Sequence, residues 1–146
     1  MFRGRYEHTI DPKGRLSIPS RYRDELAARR IATLVLSEGD HCVSAFPLDE
    51  WEKLEEDLRQ RSPFSPDRRN IVRVMVASAK ECEVDRAGRI LVPPELREFA
   101  GLKKDVMITG ALDLFEIWNR DRWAEHRQTL LGSFDDMSRK LAEHRP

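Results

Sequence analysis

Two short motifs hold the residues best suited to chemistry: Asp11-Pro12-Lys13-Gly14-Arg15 and Asp85-Arg86-Ala87-Gly88-Arg89. Each sets an arginine directly after an Asp-x-x-Gly turn. An arginine at the tip of such a turn can enter a DNA major groove, where its fork meets guanine with about 1–3 kcal/mol of discrimination. Asp at the first position and Gly at the fourth suit a type I turn closed by a left-handed residue, and Pro12 presets the φ its position needs. The competing use of the same side chains is an ion pair inside the motif, Arg15 with Asp11 or Arg89 with Asp85. Lys13, at the apex, is placed for a phosphate contact or for solvent. Arg3 and Arg5 flank Gly4 in a basic arm that either reaches a backbone phosphate or stands free.

Other chemistry finds little support. The chain has no GxSxG elbow and no phosphate-cradling loop, with 7 glycines in all. Asp135-Asp136 is a carboxylate pair without a positioned partner. His41-Cys42 and Cys82 lack CxxC or HxxxH spacing, so no metal, cofactor or disulfide framework is expected. The expectation is a non-enzyme with no evident small-molecule substrate.

The charge balance first argues against nucleic acid: 26 basic and 26 acidic side chains in 146 residues give a net charge of zero. The signs are segregated, however. Residues 1–23 carry six basic side chains against Glu7 and Asp11, a net of +4, whereas residues 38–57 carry eight acidic ones against Lys53, a net of −7. A neutral chain can therefore present a basic edge. No apolar run approaches the roughly 20 residues of a membrane span. Nothing at Met1–Arg5 reads as a secretory signal, and a cytoplasmic protein is expected.

An internal repeat supplies the elements that position the motifs. At an offset of 74, Glu7/Glu81, Asp11/Asp85, Gly14/Gly88, Arg15/Arg89, Pro19/Pro93 and Arg23/Arg97 are identical. At an offset of 72, Phe46…Trp51 aligns with Trp118…Trp123. The alternation His8/Ile10 before the turn and Leu16/Ile18 after it predicts a tight β-hairpin in each copy, stopped by Pro19 or Pro93. A short helix follows, with Tyr22 and Leu26, or Leu96 and Phe99, facing inward. Strands 33–37 and 42–46 complete the first unit, and 105–109 and 113–118 the second. Asp49–Glu52 has the form of a capping box ahead of a helix facing inward through Trp51, Leu54 and Leu58. Pro66 can open another helix with Ile71, Val72, Met75 and Val76 as its stripe. A helical pattern interrupted at Gly132 runs through 120–144, with a fraying end. The tryptophans Trp51, Trp118 and Trp123 suit core or subunit-interface packing better than base stacking.

Each half of about 50 residues is too small to be secure alone. One α+β fold is expected, with two pseudo-symmetric hairpin repeats in one core and helices flanking it. The segments are repeat 1 at 5–52, a helical connector at 53–80, repeat 2 at 81–124 and a C-terminal helix or tail at 125–146.

The motifs MFRGRYEHTIDPKGRLSIPSRYR and DRAGRILVPPELR, together with the chain length, resemble the MraZ family of bacterial transcriptional regulators, over nearly the whole chain. Each copy resembles an AbrB-type swapped-hairpin domain. The resemblance implies a swapped-hairpin β-barrel core and a ring-like homo-oligomer. It further implies binding to direct repeats in double-stranded promoter DNA, repression of the protein's own division and cell-wall gene cluster, and nucleoid association. It makes the first motif's arginine, Arg15, a DNA contact. The residues sharpen this: residues 75–97 balance four basic against four acidic side chains, so the +4 belongs to the first copy alone. The candidate DNA contacts are thus Arg15, Lys13, Arg3, Arg5 and Arg21. Arg21 belongs with them because Glu95 replaces it in the second copy, whereas Arg23 recurs as Arg97 and reads as structural. Asp11, Gly14, Asp85, Gly88 and Arg89 are expected to build the turns. The competing functions are an antitoxin-like module of the same superfold and a protein-interaction factor docking through the acidic stretch 38–57.

Overall fold

The structure, a computed structural model, describes residues 1–144; the last two positions of the expected tail lie outside the described residues. Both repeats run through the same elements. In the first these are β1 (Arg5–Thr9), β2 (Arg15–Ser17), α1 (Ser20–Ala28), β3 (Thr33–Glu38), β4 (Val43–Pro47) and α2 (Leu48–Gln60). A connector helix α3 (Pro66–Ile71) continues into a π turn at Val72–Val76. The second repeat is β5 (Lys80–Glu83), β6 (Arg89–Leu91), α4 (Pro94–Ala100), β7 (Asp105–Ala111), β8 (Leu114–Asn119) and α5 (Arg120–Gly132), followed by α6 (Phe134–Glu143). The expected α+β class and element order are observed.

The pairing of the strands differs from the expectation. β1 and β2 do not form a hairpin ladder of their own; one bridge, Ile10 to Leu16, joins them. Both of those side chains turn into the core, so the two arms diverge after the turn and take partners from the other repeat. β1 pairs with β7, β5 with β3, and β2 with β6, all antiparallel. The result is a six-stranded sheet, β1-β7-β8-β4-β3-β5, and a separate two-stranded ribbon, β2-β6. The sheet is open, with β1 and β5 as its edges, so the expected barrel is not closed.

The registers expose a pseudo-twofold axis. Leu16 pairs with Ile90, its own equivalent at the 74-residue offset. Ser44 pairs with Glu116, its equivalent at the 72-residue offset. Reciprocal bonds flank the first pair, from Ile18 N to Gly88 O at 2.9 Å and from Val92 N to Gly14 O at 2.8 Å. The ribbon lies on one face of the sheet, where Leu16, Ile18, Ile90 and Val92 meet Leu34, Ile108, Phe115 and Ile117 in the main core. Burying each such side chain stabilises by about 1.5–3 kcal/mol. The opposite face holds a smaller cluster, Val35, Phe46 and Trp51, covered by Leu54 of α2 and by Met75 and Val76 of the π turn.

Several local expectations change. Phe99 of α4 is exposed and Ala100 takes the inward position beside Leu96. Asp49 does not cap α2, which begins at Leu48, after Pro47. Its two carboxylate oxygens accept instead from the Arg29 guanidinium, at 2.9 Å each. Ile71 faces solvent because the π turn shifts the inward stripe to Met75 and Val76. Ser65 and Pro66 open α3 as capping residue and first-turn proline. Among the described residues α6 runs from Phe134, after Ser133, through Glu143.

Candidate nucleic-acid interface

Each Asp-x-x-Gly turn is organised by its aspartate. Asp11 Oδ1 accepts from the backbone N–H of Lys13 and of Arg15, both at 2.9 Å, while Gly14 N donates to Asp11 O at 2.9 Å. Gly14 has φ +91°, the left-handed region that favours glycine. The second turn repeats this: Ala87 N and Arg89 N donate to Asp85 Oδ1 at 2.9 Å each, and Gly88 has φ +76°. The remaining carboxylate oxygen takes the arginine side chain. Arg15 Nε donates to Asp11 Oδ2 at 2.6 Å, and Arg89 Nε to Asp85 Oδ2 at 3.1 Å. The backbone N–H of Arg15 and of Arg89 is the main cause that holds the Asp11 and Asp85 carboxyls below their ordinary value.

These bonds reconcile the two uses foreseen for Arg15. The ion pair engages only the Nε edge, and the side chain stays 42% exposed. Among the described residues its two terminal nitrogens make no hydrogen bond, so the aspartate aims the guanidinium rather than consuming it. Arg89 is held the same way and is 38% exposed. Across the ribbon Arg15 stands opposite Leu91 and Ser17 opposite Arg89. Leu16 and Ile90 point inward, so the two arginines share the outward face, diagonal across the axis.

Arg23 and Arg97 lock the ribbon. Arg97 Nε donates to Val92 O at 3.0 Å, and its guanidinium lies against Gly14. Arg23 lies in the same way against Gly88. Their recurrence has this structural reason. A side chain at Gly14 would stand 2.9 Å from Val92 O.

The other candidates separate. Lys13 is exposed at the first apex, and Arg21 is exposed in the first turn of α1. Arg3 is exposed, and its backbone oxygen accepts from the Tyr22 hydroxyl at 3.0 Å. Arg5 lies elsewhere. β1 turns Tyr6 toward the main core, and Arg5 points to the opposite face of the sheet, 5.5 Å above the Trp123 ring. It does not share a surface with Arg15. The structure brings up instead Lys103 and Lys104, which lie outside both motifs. They border the first turn, in a groove with Asp11, Pro12 and Arg97, and Lys104 O accepts from Ile10 N at 2.8 Å. Their counterparts beside the second turn, at the 72-residue offset, are the uncharged Ile31 and Ala32; carrying that offset past the strands would have found them.

The acidic stretch 38–57 does not form one docking face. Glu38 and Asp40 sit at the β3–β4 connection, and the rest lie on α2, where Asp49 and Glu50 engage Arg29. Burial pushes the Cys42 and Cys82 thiols up. Among the described residues no three His, Cys, Asp or Glu side chains gather where they could hold a metal, and no helix is long and apolar enough to cross a membrane.

Comparison with known proteins bears on the same two-repeat architecture. The family model described as "MraZ protein, putative antitoxin-like" matches residues 1–74 and again residues 75–143. A protein of Heliobacterium modesticaldum named transcriptional regulator MraZ is 44% identical over 143 residues, 98% of each chain. One of the same name from Desulfitobacterium hafniense is 48% identical over 126 residues, 86% of each chain. Another, from Leuconostoc citreum, is 39% identical over 143 residues, covering 98% of each. With both repeats matched and relatives aligned almost end to end, the chain belongs to the MraZ family.

Proposed function

We propose that this protein is a DNA-binding transcriptional regulator that reads double-stranded DNA with the outward face of the β2–β6 ribbon. The observation that carries the reading is the pair of aspartate-braced arginines, Arg15 and Arg89, on that face. A major groove admits a two-stranded ribbon, and a guanidinium already aimed through Nε offers its terminal nitrogens to guanine O6 and N7. Lys13, Lys103 and Lys104 around the first turn are placed for phosphate contacts, against Arg86 and Arg30 at the second. This excess of one basic side chain favours the first repeat as principal reader and Arg15 as its main base contact. Arg3 and Arg21 serve as outlying backbone contacts, and Arg5 belongs to another surface.

As implied by the family resemblance, the targets are direct repeats in the promoter of the protein's own division and cell-wall gene cluster, the outcome is repression, and the protein acts at the nucleoid of the cytoplasm. A ring-like homo-oligomer would place several ribbons along such repeats, so that individually weak contacts sum through effective concentration.

The test is a gel shift on the DNA upstream of the protein's own gene, across a salt series. Wild type is compared with Arg15→Ala and Arg89→Ala. Arg15→Ala is expected to lose specific binding, by about 1–3 kcal/mol for each base contact removed, while Arg89→Ala weakens it less. Equal losses would make the ribbon a symmetric reader and end the priority of the first repeat. Undiminished binding by both variants would overturn the ribbon as the DNA surface, and affinity indifferent to salt would overturn phosphate contact.

A further inference from the structure

The pseudo-twofold axis relates two sites on the sheet face away from the ribbon. A connector segment covers the first, whereas the second is covered only by side chains of α5, with Trp123 and His126 packed on a buried Trp118 at 5.3 and 5.1 Å. In the first repeat Phe46 and Trp51 are covered by Leu54, Met75, Val76 and Ala79. The five residues 61–65 between α2 and α3 let the connector fold back, and the Arg68 guanidinium fastens it by donating to Leu58 O at 3.1 Å. In the second repeat the equivalents of Phe46 and Trp51 are Trp118 and Trp123. Here a cavity of about 750 Å³ is open beneath α5, lined by Trp118, Trp123, His126, Leu130, Arg5 and Glu116.

The lining has also changed character. At the repeat offsets His126 replaces Leu54, Arg5 replaces Ala79 and Glu116 replaces Ser44. Glu116 Oε1 accepts from Trp118 Nε1 at 3.1 Å and from Thr109 Oγ1 at 3.3 Å, so its carboxylate is held at the cavity. Asp40 adds a second acid to the lining. The lining therefore mixes apolar surface from Trp123 and Leu130 with both charge signs, which suits an amphipathic occupant carrying both signs.

One helix of the same chain has that chemistry and has no seat. Phe134, Met137 and Leu141 of α6 fall on one stripe at i, i+3 and i+7. They are 60%, 39% and 76% exposed, and no residue of α6 is buried. The helix starts with Asp135 and Asp136 and carries Arg139 and Lys140 in its second half. Asp136 and Lys140 pair with each other at 3.0 Å, leaving Asp135 and Arg139 opposite in sign to Arg5 and to Asp40 with Glu116. Its ten residues span about 15 Å. It cannot cover its own cavity as the connector does, because Ser133 alone joins α5 to α6, and an antiparallel helix pair needs a loop of about 2–5 residues.

We propose that α6 of one copy of this chain fills the α5 cavity of a second copy, supplying in trans what Met75 and Val76 supply in cis to the first repeat. Phe134 and Met137 enter over Trp123, His126 and Leu130, and the charged residues of α6 meet Arg5, Asp40 and Glu116. Helix and cavity are different surfaces, so the contact is heterologous and closes into a ring when the rotation between copies allows. This deepens the oligomer part of the proposed function and rests on it, but not on the DNA contacts.

The test uses the full chain. The mass of wild type and of the double variant Phe134→Asp/Leu141→Asp is measured by light scattering. Both positions are exposed, and circular dichroism checks that the fold is kept. The expected result is a multi-subunit wild type and a single-chain variant that still shifts DNA at low salt. In a second experiment a Met137→Cys copy is mixed with a His126→Cys copy under oxidising conditions. A disulfide-linked pair is expected in the mixture and in neither variant alone. A double variant that keeps the wild-type mass, or a mixture that fails to cross-link, overturns the placement of α6 and leaves the oligomer standing. A wild type that is a single chain at every concentration overturns both.

Discussion

The two Asp-x-x-Gly turns are built alike and surrounded differently. Each uses one aspartate oxygen for two backbone amides and the other for the arginine Nε, and each ends on a left-handed glycine. The first has Pro12 and Lys13 at its apex and Lys103 and Lys104 alongside; the second has Arg86 and Ala87 at its apex, and Arg30, Ile31 and Ala32 alongside. A motif that recurs in both places must serve the fold, and the difference between its surroundings is where a binding preference can arise. Duplication thus separates two roles that a single copy would confound.

The largest asymmetry is expected at the glycines. Alanine at either site must adopt a left-handed backbone, costing about 1–2 kcal/mol. At Gly14 the new methyl group would also stand 2.9 Å from the backbone oxygen of Val92, which is tied into the ribbon. At Gly88 it would meet the flexible arm of Arg23, which can move aside. Gly14→Ala should therefore lower the thermal unfolding midpoint more than Gly88→Ala. The reverse order would mean that the second turn is the more rigid member.

Much of this construction was legible in local pattern. The turns follow from Asp, Pro and Gly at fixed positions, the strands from period-2 alternation, and the duplication from identities at a constant offset. Strand partners were not, because alternation says which face a residue takes and nothing about which strand lies beside it. So β1 reads as half of a hairpin although its ladder is with β7, about 100 residues on. The same gap hid Lys103 and Lys104 from the first motif's charge count. It also grouped Arg5 with Arg15: the two are ten residues apart in the chain but belong to opposite faces of the sheet. Residues 75–97 are neutral along the chain, whereas the surface around each turn is built from both repeats because the strands exchange partners.

A smaller effect is expected at the apex. Lys13→Ala removes one charge at the proposed DNA surface and no side-chain hydrogen bond of the turn, so its signature is in the salt dependence. The slope of log affinity against log salt should fall by about 0.9 if Lys13 neutralises one phosphate, with sequence preference unchanged. Ala87→Lys is the converse experiment: adding a charge beside Arg86 at the second turn should steepen the slope. If neither change moves it, the difference at the two apices has no part in binding.

The smallest effect tests the likeness of the turns rather than their difference. Asp11 and Asp85 are both held below the ordinary carboxylate value of about 3.9, first by the backbone N–H of the following arginine and further by its side chain. A carboxyl depressed on folding favours the native state above that ordinary value. The contribution is then lost as pH falls toward the depressed native one. Both turns should therefore loosen together in acid, with no change between pH 5 and pH 8 from these groups. Carboxyl resonances followed by NMR through an acid titration should move in parallel for the two aspartates. Binding to DNA should break the parallel: with Arg15 engaged and Arg89 idle, only the Asp11 titration should respond to added operator. A response of equal size at Asp85 would mean that both arginines enter the groove and that the ribbon reads DNA by its symmetry.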